Sequence, residues 1–237
     1  MGRRWVKVLA ITVVVLAVLF TVIDRVAVHY ADKEAAQLAK EKYGYENTTD
    51  GYLDVGIEGF PFLTQAAGGD FGHVTLTAGK FYVDTTTNAQ GGYLHIDRLR
   101  LDLRDVKVGS LTARSAEANL ATGTLTLSYK ELSGVVTRLA GDGGPLQVSQ
   151  APGSSGQAAR VKVSGTVGGT PLNSTGTLLA QGSELSLTVP GAERASTVWR
   201  VSLPAGVGFT AARATAQGVE ISLAGHQVTL GSSRYGG

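Results

Sequence analysis

Apolar and polar positions follow three regimes along the chain. From Val8 to Ile23 sixteen uncharged residues run without interruption, and eighteen from Val6 if Lys7 snorkels to the headgroups with Trp5 at the interface. That length is near the lower limit for a spanning helix. From Asp24 to Lys42 the pattern is helical: Ala27, Ala31, Ala35 and Ala39 recur every four residues, with Tyr30 and Leu38 placed on the same stripe. Lys33, Glu34, Lys40 and Glu41 mark the opposite face, and Gly44 ends the helix. Periodicity does not choose that helix's partner, so a spacer holding a domain off a membrane and a helix packed on a sheet both remain open.

From residue 47 onward the period is mostly two. Tyr52-Leu53-Asp54-Val55-Gly56-Ile57 alternates as a half-buried strand does, with Glu58 on the polar side. Gly59 is a flexible joint, and Pro61, with no N–H and a fixed φ, suits a helix start. Pro61 to Ala67 therefore reads as a short helical turn closed by Gly68-Gly69, carrying Phe60, Phe62 and Leu63 to a sheet edge.

The next strands change phase. Val74, Leu76 and Ala78 are even, but Phe81 and Val83 beyond Gly79 are odd. Leu94 and Ile96 are even, Leu99, Leu101 and Leu103 odd, Val106 and Val108 even again. A phase switch signals a bulge or bend, so the sheet is expected to be curved. Ser128-Tyr129-Lys130-Glu131 fits a capping box ahead of Leu132, Val135, Val136 and Leu139 at helical spacing. Alternation resumes at Val161, Val163 and Val167, at Leu185, Leu187 and Val189, and at Val219, Ile221 and Leu223, starting again at Val228 and Leu230. Gly153-Ser154-Ser155-Gly156 reads as an exposed turn or short insertion, since similar strands flank it.

Charge changes the picture only at the N-terminus. The chain has 21 basic and 19 acidic residues, but Arg3, Arg4 and Lys7 all precede the first acid, Asp24; without them 18 basic face 19 acidic, a net of −1. Nucleic-acid binding needs a basic face, which the remainder lacks. Basic residues ahead of the apolar run place the N-terminus in the cytoplasm and the remainder outside, at a cell membrane crossed once. A cleaved signal peptide is the rival reading; against it, Arg25 and His29 stand two before Ala27 and Ala31, so neither makes an A-x-A site. This divides the chain into a basic tail at 1–7, a transmembrane anchor at 8–23 and an extracytoplasmic domain at 24–237.

Candidate catalytic chemistry is sparse. With no cysteine the chain has no disulfide, thiolate metal site or cysteine nucleophile. His29, His73, His95 and His226 fall in unrelated segments without metal-ligand spacing. Asp97, Asp102 and Asp105 interleave with Arg98, Arg100 and Arg104, a pattern that favours an ion-paired face over paired catalytic acids. No nucleophile elbow, P-loop or dinucleotide glycine motif occurs at a strand-to-helix turn. The expectation is a protein that is not an enzyme and needs no cofactor or metal.

The strand at 52–57, the heptapeptide Gly59-Phe60-Pro61-Phe62-Leu63-Thr64-Gln65 and the following Gly69-Asp70-Phe71-Gly72-His73-Val74-Thr75-Leu76-Thr77 together resemble the LmeA-like phospholipid-binding family of actinobacterial envelope proteins. The resemblance covers most of 24–237. It implies an α+β, predominantly β fold of the tubular lipid-binding kind: a curved antiparallel sheet wrapped around a long helix and enclosing an apolar groove, here preceded by one transmembrane helix. It also implies a membrane-anchored protein that binds phospholipid acyl chains and supports lipid or lipoglycan handling in the envelope. Phe60, Phe62 and Leu63 match the family heptapeptide and are candidates for the groove or its mouth, joined by Phe71, Val74, Leu76 and Phe81. Core residues have the same types, so packing is an equal reading of all seven. Arg98, Arg100 and Arg104 are the candidates for a phosphoinositide-like headgroup. The alternative function is a non-enzymatic envelope scaffold or protein-interaction module without a lipid cavity.

Overall fold

The computed structural model describes residues 2–43, 51–84, 93–110, 115–141, 144–201 and 203–230, with side chains described over 12–37, 51–80, 94–109, 116–141, 144–201 and 203–229. The described residues form three helices and eleven strands in two antiparallel sheets.

The first helix, α1 (Gly2–Tyr43), joins the apolar run and the alanine-rich stretch into one rod. Nothing interrupts it, because no glycine or proline lies between Gly2 and Gly44. Its segment Thr12–Gln37 is long and apolar enough to cross a membrane. Val13 to Ile23 lies open on all sides. Beyond Asp24 the half-buried stripe is Ala27, Val28, Ala31, Asp32, Ala35 and Ala36, with Lys33 and Glu34 exposed. Tyr30 is 70% exposed and does not belong to that stripe, correcting its placement from the sequence; the side chains of Leu38 and Ala39 lie outside the described residues. This lower half packs on a strand, as the small residues allow.

That strand is β1 (Tyr52–Glu58), the edge of a six-stranded sheet. After the short α2 (Phe62–Gly68), the sheet continues with β2 (Asp70–Asp84), β3 (Tyr93–Ser110) and β4 (Ser115–Ser128). Helix α3 (Tyr129–Ala140) then leads into the second sheet: β5 (Gln147–Gln150), β6 (Ala158–Val167), β7 (Thr170–Gln181), β8 (Glu184–Thr188) and β9 (Thr197–Arg200). The chain returns through β10 (Val207–Ala214) and β11 (Gly218–Leu230), giving the first sheet the order β1-β2-β3-β4-β11-β10.

The predicted phase switches are present, and their form is a crease. Gly72, Asp105, Asn119 and Gln227 face one another across β2, β3, β4 and β11, and all four drop out of the pairing while the pairs on either side keep their register. Lys80 and Asp97 drop out in the same way between β2 and β3. Lys80, Asp105 and Gln227 have φ of 56°, 50° and 51°, in the left-handed region that turns a strand's alternation over. Because paired strands turn over together, no residue is inserted between β2 and β3. The apolar positions before and after the crease stay on one side: Phe71, Val74, Leu103, Val106, Ala118, Ala121 and Val228 form a single cluster.

The larger core lies between the sheets. Leu94, Ile96, Leu125, Leu127, Ile221 and Phe209 of the first sheet meet Val161, Val163, Leu178, Leu185 and Trp199 of the second, with α3 inserting Leu132, Val135 and Val136. Each fully buried large aliphatic contributes roughly 1.5–3 kcal/mol. Ser128 caps α3 as predicted, its Oγ accepting from the Glu131 N–H at 3.2 Å. Gly153 to Gly156 is a connection between the antiparallel β5 and β6, and Ser154 Oγ ties it down by accepting from Arg160 N and Ala214 N.

Candidate functional site

Helix α2 begins with Phe62 and Leu63, but its N-cap residue, Pro61, has no side chain with which to cap. The missing acceptor comes from α1. Asp24 Oδ1 accepts from the Leu63 N–H at 2.8 Å, and the carboxylate is completely buried. A negative charge there also complements the helix dipole. Arg25 donates to Asp24 Oδ2 at 2.9 Å and to the Gly59 carbonyl at 3.0 Å. Further along α1 on either side, Phe20 meets the Phe60 ring edge-on at 6.4 Å, and Asp32, about two turns beyond Arg25, accepts at Oδ1 from the Ile57 N–H at 2.8 Å. The heptapeptide is therefore riveted to α1. Its own Gln65 folds back to accept from the Gly72 N–H at 3.0 Å; Gly59, at φ 112°, must lack a Cβ, which would stand 2.7 Å from Gln65 Nε2.

The aliphatic face of the first sheet begins at α2. Phe62, 7% exposed, lies 6.2 Å from the half-buried Phe71, which packs on the cluster along the crease. Between the two creases, register puts Val55, Leu76, Leu101, Gly123 and Leu223 side by side across five strands, with Ile57, Val74 and Leu103 flanking on one side and Leu53, Ala78 and Leu99 on the other. The second sheet and α3 bury the far end of this face. Ile57, Val74, Leu76, Leu99 and Leu101 are left only half-buried, Val74 packing on the cluster along the crease and Leu99 and Leu101 on the core between the sheets.

A model of the LmeA-like phospholipid-binding family matches residues 22–224. The chain belongs to this family. No curated protein and no solved structure matches it. The family match begins at Val22, so it takes in Asp24, Arg25 and Asp32 together with the heptapeptide they hold.

For a family of lipid binders, the placement of the candidate residues divides them. Phe62, Phe71, Val74 and Leu76 follow one another along the aliphatic side, and Leu63 is half-buried in α2. Phe60 is apart: it is 58% exposed, with Phe20 at its edge and the Arg25 guanidinium 5.4 Å above its ring. Phe81 pairs with Ile96 in the β2–β3 ladder, and its side chain lies outside the described ones.

The arginines are not brought to this band. Arg98, Arg100 and Arg104 pair with Gly79, Thr77 and His73, so between the creases they share the exposed polar face with Thr122, Thr124 and Thr126. Leu76 and Leu101 point the other way. On the polar face His73 bridges two strands, with Nδ1 2.8 Å from Glu58 and Nε2 2.9 Å from Asp102. Asp102 also takes Arg104 Nε at 3.0 Å. The His73 contact, outweighing partial burial and aided by Arg104, holds the Asp102 carboxyl below its usual range.

A shallow depression lies between the end of α3 and the second sheet, at Ala140, Val167 and Arg194, and a still more open one lies on the flank of α1 at Val14 to Val22. Neither is lined by a candidate lipid residue. Among the described residues no group of three His, Asp or Glu converges as a metal site. Sequence reasoning missed Asp24, Arg25 and Asp32, whose partners are distant in the chain; the one available signal was a pair of acids at helical spacing directly beyond an apolar run.

Proposed function

We propose that this protein holds a phospholipid at the outer surface of the cell membrane, with α1 as its uncleaved single-pass anchor and its N-terminus in the cytoplasm. Family membership supports the ligand class. The observation that carries the site is the half-buried band of Ile57, Val74, Leu76, Leu99 and Leu101 on the apolar face of a creased sheet. An acyl chain laid on it exchanges water for methyl groups at roughly 0.8 kcal/mol per buried methylene. In this reading the sheet curls around the chains in the tubular manner of the fold that family resemblance implies, and α1 closes the β1 edge. Phe62 and Phe71 form the entrance.

The protein binds its lipid without transforming it and needs no cofactor. The headgroup stays at the rim, away from Arg98, Arg100 and Arg104, whose face is the opposite one. Native mass spectrometry with lipid extraction on the full chain, purified from a lipid-containing host in detergent, tests the reading. A stoichiometric phospholipid that is lost in Leu76→Asp/Leu101→Asp supports it. A lipid-free mass that takes up no added phospholipid removes it and favours an envelope scaffold.

A further inference from the structure

The exposed apolar surface of α1 does not end at the helix. Leu19, Phe20, Val22 and Ile23 are roughly half exposed, and the loop Gly59-Phe60-Pro61 extends that surface sideways by placing Phe60 against Phe20. A large aromatic left 58% exposed at a loop tip is unfavourable in water. Its position is nonetheless held from three directions: Asp24 fixes the following helical turn, Arg25 fixes the Gly59 carbonyl, and the same guanidinium covers the ring. Phe20 lies four residues ahead of Asp24, about 6 Å along the helix axis. With α1 in a bilayer and Asp24 and Arg25 at its boundary, Phe60 is level with the outermost acyl carbons, and Arg25 is at the depth of the lipid phosphates.

We propose that the Gly59-Phe60-Pro61 loop is a second membrane contact, inserted shallowly in the same bilayer leaflet that α1 leaves. The occupant of this surface is a phospholipid bilayer, because the patch is continuous with a helix whose own exposed residues need one. Two contacts, one deep and one shallow, fix the rotation of the domain about α1. They also seat α2 on the membrane, so that the path from Phe62 to Phe71 and on to Leu76 opens directly toward lipid. This inference rests on the reading of α1 as an anchor.

The absence of native cysteines permits a direct test. The full chain carrying F60C, V15C or T124C is labelled with an environment-sensitive fluorophore and reconstituted in phosphatidylglycerol/phosphatidylcholine vesicles containing lipids spin-labelled at shallow or deep acyl positions. Circular dichroism confirms that each variant is folded. We expect V15C to be quenched best by the deep label, F60C by the shallow label and several-fold more than T124C, which reports the polar face. F60C quenched no more than T124C, with V15C quenched, overturns the loop contact and leaves the anchor standing. V15C unquenched overturns both.

Discussion

Asp24 of the long helix and Leu63 of α2, 39 residues apart, are joined by a 2.8 Å hydrogen bond from the Leu63 amide to a completely buried carboxylate. Replacing Asp24 by Ala leaves the start of α2 without its acceptor and Arg25 without its anion. The expected result is a lower thermal midpoint and early loss of protection at the Leu63 amide in hydrogen exchange. Uniform protection unchanged from the wild type would mean that α2 does not depend on α1.

The two apolar regions should respond differently to truncation. Leu132 is fully buried among both sheets, so Leu132→Ala is expected to cost about 2–5 kcal/mol in denaturant unfolding of the reconstituted chain. Leu76 is half-buried and belongs to neither cluster; Leu76→Ala should cost about 1 kcal/mol, yet weaken phospholipid retention more than Leu132→Ala does in the fraction that remains folded. Equal effects on stability and retention would assign Leu76 to the core.

Gly123 lies in the middle of the aliphatic row, and a Cβ there would stand 2.6 Å from Leu101 Cδ2 and 2.5 Å from the Arg100 carbonyl. Gly123→Ala must separate β3 from β4, with an expected loss of about 1–3 kcal/mol. An unaltered denaturation midpoint would show that the two strands can move apart freely.

Asp102 has a depressed folded pKa, chiefly through His73. Its contribution is therefore present above the unfolded carboxylate pKa and fades as pH falls through the lower folded value. In thermal unfolding between pH 6 and pH 2, Asp102→Asn should be less stable than wild type at the upper end, with the gap narrowing toward the acid end. A pH-independent gap would place the effect elsewhere. Solvent exposure of Asp102 keeps the size modest.

Much of this architecture was legible in the amino-acid pattern, because its causes are local. A glycine-free, proline-free apolar run specifies α1; period-two alternation specifies β1; Pro61 and Gly69 bracket α2; Ser128 starts α3. The switches of phase at Gly79 and between Leu103 and Val106 announced bends, since apolar side chains can return to one side of a strand only if its backbone turns over. The heptapeptide carried the family resemblance, and the family match agrees.

What tertiary structure alone decided is which surfaces meet. Alternation says that Arg100 and Leu101 face opposite ways, but only the register of β3 with β2 and β4 places Leu101 beside Leu76 and leaves the arginines on the solvent face. Phe60 and Phe62 are two residues apart and chemically alike, yet one is buried on Phe71 and the other exposed against Phe20, because the turn at Pro61 and the pull of Asp24 and Arg25 separate them. A buried carboxylate on a helix has no local signature: its partner is an amide 39 residues away, and that closeness exists only once α1 has packed on β1.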